Sequence, residues 1–218
     1  MQIEVSIPSS LKEVKLKDYQ SLLLIDKPND EDLLKCILDV NSKELGKIKH
    51  RDVSFLKTHI NKLFDKEHEF VPTFNLNNIA YGFIPNLDEI TYGENKDITS
   101  YINDWGNMHK AMAVLFRPIK LKKNNKYIIE EYEGSHRYAE TMKEMPLDVV
   151  LGAMVFFYNL TNELLKYIPN YLEKEIMKEQ MTGQISQENG EAIQSYMHSL
   201  KETLQNLKRL QDYPCINV

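Results

Sequence analysis

The chain has 218 residues, of which 42% are hydrophobic and 27% are charged, and its formal net charge is −5. These values are ordinary for a globular protein that buries a core, and they argue against global disorder. The acidic balance argues against a protein whose main task is to coat nucleic acid, because contacts with phosphate need a basic surface.

Cysteine usage and hydropathy give further expectations. The two cysteines, Cys36 and Cys215, are too far apart for a metal-ligand spacing or a disulfide framework, which fits a reducing compartment. The first residues lack the features of a signal peptide. The most apolar run, Val149 to Tyr158, is too short to cross a bilayer. We therefore expect no membrane association. Among the eight glycines there is no Gly-x-Gly-x-x-Gly motif and no Walker loop, and we predict no cofactor.

The first third of the chain predicts one hairpin and a helical layer. "IEVSI" and "KEVKL" alternate apolar and polar residues around "PSSL", which is typical of a small β-hairpin. "KDYQSLLLI" and "NDEDLLKCILDV" predict helices, the second with Asn29 as its N-cap. "HRDVSFLKTHINKLFDKE" is amphipathic, with Val53, Leu56, Ile60, Leu63 and Phe64 on one face of a helix.

The middle of the chain predicts two more hairpins. Pro72 and Pro85 bracket the strand-forming run around "NLNN". "NLDEITYGE" indicates a loop or one helical turn, and "DITSYIND" a short helix capped by Asp97. The next helix should end before Arg117, because Pro118 disfavours helical geometry in the preceding residue. "PIKLKKNNKYIIEEY" then predicts two strands joined around "KNN".

After Pro146 the pattern is helical. Pro169 should kink or interrupt the helix, "TGQISQENGE" should form a loop, and a last helix should cover about Glu191 to Gln211. That helix carries an apolar stripe at coiled-coil spacing, which consists of Ile193, Met197, Leu200, Leu204 and Leu207. The stripe either folds back on the helix that starts at Pro146 or forms a seam between copies.

The predicted fold is therefore α+β and mostly helical. It comprises an N-terminal helical layer with small β-hairpins, central hairpins, and long C-terminal helices that form a helical hairpin. We expect an α+β domain over residues 1–145 and the helical hairpin over 146–218, an arrangement that is also compatible with one continuous domain.

The stretch "DWGNMHKAMAVLFRPI" contains the strongest candidates for chemistry. Asp104 and His109 are five positions apart and so lie on different faces of a helix. We interpret the segment as a helix packed by its methionines, with His109 and Lys110 at its polar border and Trp105 in the core. Arg117 should pair with a carboxylate. Because Asp104 and His109 cannot meet, we predict no catalytic residue. We also predict no metal site, because no histidine pair has the spacing of a helical zinc site.

A basic hairpin tip is the other candidate site. It consists of Lys120, Lys122, Lys123 and Lys126. A solvated turn is the default interpretation, and a contact with a phosphate or a partner is the alternative. A helix-turn-helix over "SKELGKIKHRDVSFLKTHINK" would place Arg51, Lys57, His59 and Lys62 on a recognition helix, but the interspersed acidic residues and the net charge disfavour it.

The order of four segments resembles a gene product of tailed bacteriophages, among them the crAss-like gut phages. The segments are "IPSSLKEVKLKDYQ", "FIPNLDEITYGE", "MHKAMAVLFRPIK…KYIIEEYEG" and "MPLDVVLGAMVFFYNLTNELL". The resemblance covers about Ile7 to Leu165, and its most specific pieces are "LDEITYGE", "AVLFRPI" and "MPLDVVLGA".

The resemblance implies a non-enzymatic virion protein of the tail, present in the host cytoplasm before assembly. Such proteins stack as cyclic rings below the portal. Their partners are copies of themselves and other tail or portal-proximal proteins, and DNA only passes through the ring. The closest alternative is a tail-assembly chaperone that is absent from the mature virion. A phage enzyme and a DNA-binding regulator are the alternatives from other classes.

Overall fold

The computed structural model describes residues 5–124 and 126–160. Backbone contacts divide the chain into two units, Met1–Ala153 and Met154–Val218. In the second unit, residues 154–160 are helical. The expected domain boundary, after residue 145, stays a prediction. The predicted helical hairpin and its apolar stripe, Ile193 to Leu207, lie outside the described residues.

The described chain is α+β and mostly helical, as predicted. The helices are α1 (Leu16–Leu23), α2 (Asp30–Leu38), α3 (Ser42–Leu45), α4 (His50–Phe64), α5 (Tyr92–Tyr101), α6 (Met108–Leu115) and α7 (Ala139–Met142). A further helix, α8, begins at residue 147 and is described through residue 160. Short 3-10 turns cover Leu87–Glu89, Trp105–Asn107 and Ser135–Arg137.

Four antiparallel strands form one sheet in the order β1-β2-β3-β4. They are β1 (Thr73–Leu76), β2 (Ile79–Phe83), β3 (Phe116–Lys123) and β4 (Lys126–Ile129). The turn between β1 and β2 has positive φ at Asn77 (51°) and Asn78 (63°), the geometry that joins two twisted strands most tightly. The turns of both hairpins lie at one end of the sheet, and α5 and α6 connect β2 to β3 at the other end.

Side-chain caps fix where two of the helices begin. The side chain of Asn29 accepts hydrogen bonds from the backbone of Glu31 (2.8 Å) and Asp32 (3.1 Å), so the predicted N-cap of α2 is confirmed. The predicted cap of α5 is wrong, because the helix begins at Tyr92 and Thr91 caps it. Thr91 and Glu94 form a reciprocal capping box, which starts the helix before Asp97 is reached.

The core is centred on α6. Seven of its eight residues are buried, with Lys110 the exception, as expected for a helix that other elements cover on nearly all sides. Aromatic side chains of the strands pack against one another on one face of the sheet. Phe74 stacks on Tyr81 (5.5 Å between centroids), and Phe116 contacts both Phe74 and Phe83 edge-on. Each such pair contributes about 0.5–1.5 kcal/mol beyond the area it buries.

The predicted N-terminal hairpin is wrong over the part that the structure describes. Residues 5–15 contain no strand, and Lys15 makes only an isolated bridge with Pro146. The backbone groups that a hairpin would pair internally bond instead to the start of α8, because the Leu147 amide donates to the Val14 carbonyl (2.9 Å). Leu11 and Val14 are buried by this contact, which explains the alternating pattern without a strand.

Helix α8 approaches the segment that leads into β1 very closely at Gly152. A Cβ atom at this position would lie 2.1 Å from the carbonyl oxygen of Glu69 and 3.3 Å from the Cα atom of Phe70. Both are backbone atoms, which cannot rotate away as a flexible side chain can. Only glycine therefore fits between the helix and the segment.

We predict that Gly152→Ala destabilises the protein. Alanine favours a helix over glycine by about 1 kcal/mol, but the steric overlap forces the backbone to shift and should outweigh this gain, for a net loss of roughly 1–3 kcal/mol in the free energy of unfolding. Chemical denaturation of the full chain measures the change.

Gly93→Ala in α5 is the matched control for this substitution. A Cβ atom there would lie 3.4 Å from the ring of Tyr132, an ordinary contact. Its stability should equal or slightly exceed that of the original chain. Equal stability of the two variants would show that α8 and residues 69–70 are not in close contact.

Candidate functional site

The basic residues predicted from the sequence lie on an arm that extends beyond the packed body. Residues 120–123 of β3 and the turn residue 124 are exposed in succession, whereas a strand that covers a core would bury every second side chain. Lys120, Lys122, Lys123 and Lys126 are all exposed. We call residues 120–124 and 126–128 the hairpin tip.

The hairpin tip also exposes apolar side chains, which the sequence analysis missed. Leu121 and Ile128 lie directly opposite each other and are 60% and 59% exposed. Ile79 of β2 is 45% exposed. The Glu130 amide donates to the Pro118 carbonyl, and Pro118 lies opposite Tyr81. Alternation along the strands therefore places all three apolar side chains on one face of the sheet.

Two of the lysines belong to the same face. Lys123 lies directly opposite Lys126, next to the Leu121–Ile128 pair. Like charges opposite each other destabilise a strand pair, and within residues 5–124 and 126–160 no carboxylate forms an ion pair with either lysine. We call Ile79, Leu121, Lys123, Lys126 and Ile128 the tip face. An apolar surface with two neighbouring cations fits an apolar partner that carries negative charge.

Tyr127 of the hairpin tip lies on the other face of the sheet and ties the arm back to the body. Its hydroxyl donates to the carbonyl oxygen of Phe83 (2.9 Å), and its ring covers Gly82, where a Cβ atom would lie only 2.5 Å away. Burial raises the pKa of the Tyr127 hydroxyl above its ordinary value of 10.0. The arm is therefore fixed where it leaves the body.

A buried ion pair fixes the same strand to α5. The Arg117 guanidinium lies 2.5 Å from the Glu94 carboxylate, and the two side chains are 8% and 5% exposed, so the predicted pairing of Arg117 with a carboxylate is confirmed. The second Glu94 oxygen accepts from the backbone amide of Thr91 (2.7 Å). One carboxylate thus caps the helix and neutralises the strand's arginine. The Thr-x-x-Glu spacing at residues 91–94 was the signal available in the sequence.

A tyrosine closes the other side of this pair. The ring of Tyr132 lies beneath the Arg117 guanidinium (5.7 Å to the centroid), and its hydroxyl donates to Asp97 of α5 (2.5 Å). Burial, followed by the bond to Asp97, raises the pKa of the Tyr132 hydroxyl above its ordinary value of 10.0. Strand β3 and the segment after β4 are therefore both tied to α5.

His109 is buried, so its predicted place at the polar border of α6 is wrong. It is 7% exposed, and its Nδ1 atom lies 3.1 Å from the side-chain amide of Gln20, which also donates to the Trp105 carbonyl (2.6 Å). Helix α1 covers the imidazole, and burial lowers the pKa of His109 below its ordinary value of 6.5. Asp104 instead accepts from the Gly106 amide (2.8 Å).

The residues considered for a recognition helix are partly bound within the chain. On α4, Lys57 forms an ion pair with Asp30 (2.6 Å), and His59 lies 2.8 Å from the carbonyl oxygen of Pro8. Arg51 contacts its neighbour Asp52. The helix therefore directs two of the four proposed contact residues towards its own chain.

In the described part of the chain, no group of three or more histidine, cysteine, aspartate or glutamate side chains is arranged to hold a metal ion. No helix of that part is long and apolar enough to cross a membrane. Comparison with known proteins gives no match: no family model, curated protein or solved structure is similar to this chain.

We predict that Glu94→Gln destabilises the protein strongly. The substitution leaves the Arg117 charge buried without a counter-charge, and breaking a buried pair in this way typically lowers the free energy of unfolding by about 3–5 kcal/mol. The value should lie near the lower limit, because a glutamine oxygen still accepts a hydrogen bond. Thermal or chemical unfolding of the purified chain measures it.

Glu140→Gln is the control for this prediction, because Glu140 pairs with Lys143 at the surface with 81% of its side chain exposed. An exposed pair contributes little, so this variant should unfold almost as the original chain does. Similar losses in both variants would contradict the structural role given to the buried pair.

Proposed function

We propose that the chain is a non-enzymatic structural component of a tailed-phage virion, a ring-forming tail protein close to the portal. The phage assignment comes from the resemblance of four sequence segments. Two of them, residues 83–94 and the block from Met108 to Gly134, contain Glu94, Arg117 and Tyr132. The segments that carry the resemblance thus also build the anchor of the hairpin.

The observation that carries the proposal is the tip face. Burying Leu121 and Ile128 against a neighbour would contribute about 1–2 kcal/mol each, since each is about 60% exposed and full burial of such a side chain contributes roughly 1.5–3 kcal/mol. An arm with a fixed base loses little conformational freedom when it docks. Both properties suit a contact that is repeated in every subunit of an assembly.

The charge of the chain supports a conduit as well. A net charge of −5 disfavours tight binding of DNA, because the affinity of a protein for DNA rises with the number of phosphates that it neutralises. A ring through which DNA passes must not retain it. The lysines of the hairpin tip then contact neighbouring proteins. These neighbours are copies of the chain or other tail or portal-proximal proteins.

A tail-assembly chaperone is the second candidate, and the same tip face favours it. A chaperone would cover an apolar surface of another tail component with this arm and leave before the virion is complete. The two functions differ in whether the protein remains in the particle and in whether it binds its own copies.

We predict that Leu121→Glu with Ile128→Glu weakens self-association of the full chain roughly a hundredfold or more, because two carboxylates would have to be buried in the contact. Sedimentation velocity over a range of concentrations measures this. Leu24→Glu is the control, because Leu24 is 76% exposed outside the hairpin, and it should associate as the original chain does. Equal association of all three proteins would remove the hairpin tip from any interface.

We also expect the protein in mature particles of the phage that encodes it, in a fixed number of copies relative to the major capsid protein. Quantitative mass spectrometry of purified virions measures the ratio, with a non-structural protein of the same phage as the negative control. A ratio no higher than that of the control would reject the ring protein and favour the chaperone.

A further inference from the structure

We propose that the tip face docks on residues 86–92 of a second copy of this chain. We call this segment the acidic loop. The inference rests on the proposed function, because it names the partner surface within the ring. It implies a head-to-tail contact, in which each subunit offers its hairpin tip to one neighbour and its acidic loop to the other.

The acidic loop has the chemistry that the tip face lacks. Asp88 and Glu89 are exposed, and no lysine or arginine of the described residues forms an ion pair with them. Tyr92 follows with 83% of its surface exposed, the largest fraction among the exposed large hydrophobic residues. Lys96, one turn further along α5, is the nearest exposed cation in sequence, so the loop itself remains negative.

Caps hold the loop in one conformation. The side chain of Asn86 accepts from the Asp88 amide (3.1 Å) and starts the 3-10 turn. The capping box of Thr91 and Glu94 starts α5 directly after it. Tyr92 is therefore presented by the first turn of a helix that the buried Arg117 holds in place. A preformed loop docks with a smaller loss of conformational freedom than a mobile one.

The two surfaces match in charge and in type of side chain. Lys123 and Lys126 can face Asp88 and Glu89, which would relieve the repulsion between the opposed lysines. The Tyr92 ring can cover Leu121 and Ile128, and a tyrosine face also attracts a neighbouring ammonium group. Tyrosine is one of the residue types enriched in protein interfaces.

The tip face of a chain cannot contact the acidic loop of the same chain. Strand β2 runs from the turn at Asn77–Asn78 to Phe83 and continues into the acidic loop, whereas β3 runs back from Phe116 to the hairpin tip. The loop and the tip therefore lie at opposite ends of the sheet. The eight residues of β3 span about 24 Å. When such a contact between two different patches is repeated head to tail, it generates a ring or an open filament.

A charge-swap experiment on the full chain tests the inference by sedimentation velocity. Lys123→Glu with Lys126→Glu should weaken self-association roughly a hundredfold, because like charges then face each other. Asp88→Lys with Glu89→Lys should weaken it to a similar degree for the same reason. The chain that carries all four substitutions should regain most of the association, because the two charges have merely exchanged places.

The outcomes separate this inference from the proposed function. We call Lys123→Glu with Lys126→Glu the tip variant and Asp88→Lys with Glu89→Lys the loop variant. If the tip variant dissociates while the loop variant assembles as the original chain does, a different surface receives the hairpin. The inference is then wrong, although the proposed ring function is not contradicted. If the original chain does not self-associate, the ring protein and the inference both fail. An unchanged mass of the tip variant, together with lost binding of a DNA duplex, would assign the lysines to nucleic acid and overturn the inference.

Discussion

The ion pair between Arg117 of β3 and Glu94 of α5 is the constraint on which the arrangement of this protein depends. Both side chains are almost completely buried, and neither charge can remain in the interior without the other. Because Glu94 also caps α5 through Thr91, the first turn of the helix and the register of the strand are fixed together. The direction in which the β3–β4 hairpin leaves the body follows from this pair and from the bond of Tyr127 to the Phe83 carbonyl.

Because the base of the hairpin is fixed, its tip presents the same exposed side chains in a defined position. Leu121 and Ile128 lie opposite each other and are exposed. A solvated turn gains no stability from such a pair, and a strand of the core would bury it. The tip instead combines apolar area with two cations, while the loop at the opposite end of the sheet combines a tyrosine with two carboxylates. The two surfaces that we propose to meet thus lie at opposite ends of one sheet, which suits a subunit with a different neighbour on each side.

The sequence predicted those parts of the fold that local chemistry determines. The hairpin around residues 75–78, the Asn29 cap and the apolar face of α4 depend on neighbouring residues, and these three predictions are confirmed. The errors occurred where a distant segment decides. The carbonyl oxygens of Leu11 and Val14 accept hydrogen bonds from amides at the start of α8, and Gln20 of α1 covers His109. The carboxylate partner of Arg117 was expected without its position, and the exposed apolar pair could not be identified before the strand register was known.

The mass of the purified full chain in its native state tests the central claim most directly. We expect a discrete closed species of three or more copies of the 25.6 kDa chain, because a head-to-tail contact that is repeated in every copy closes into a ring. A mass of 25.6 kDa at every concentration would contradict self-assembly. A species of only two copies would contradict the ring, because two copies can only contact each other reciprocally about a two-fold axis.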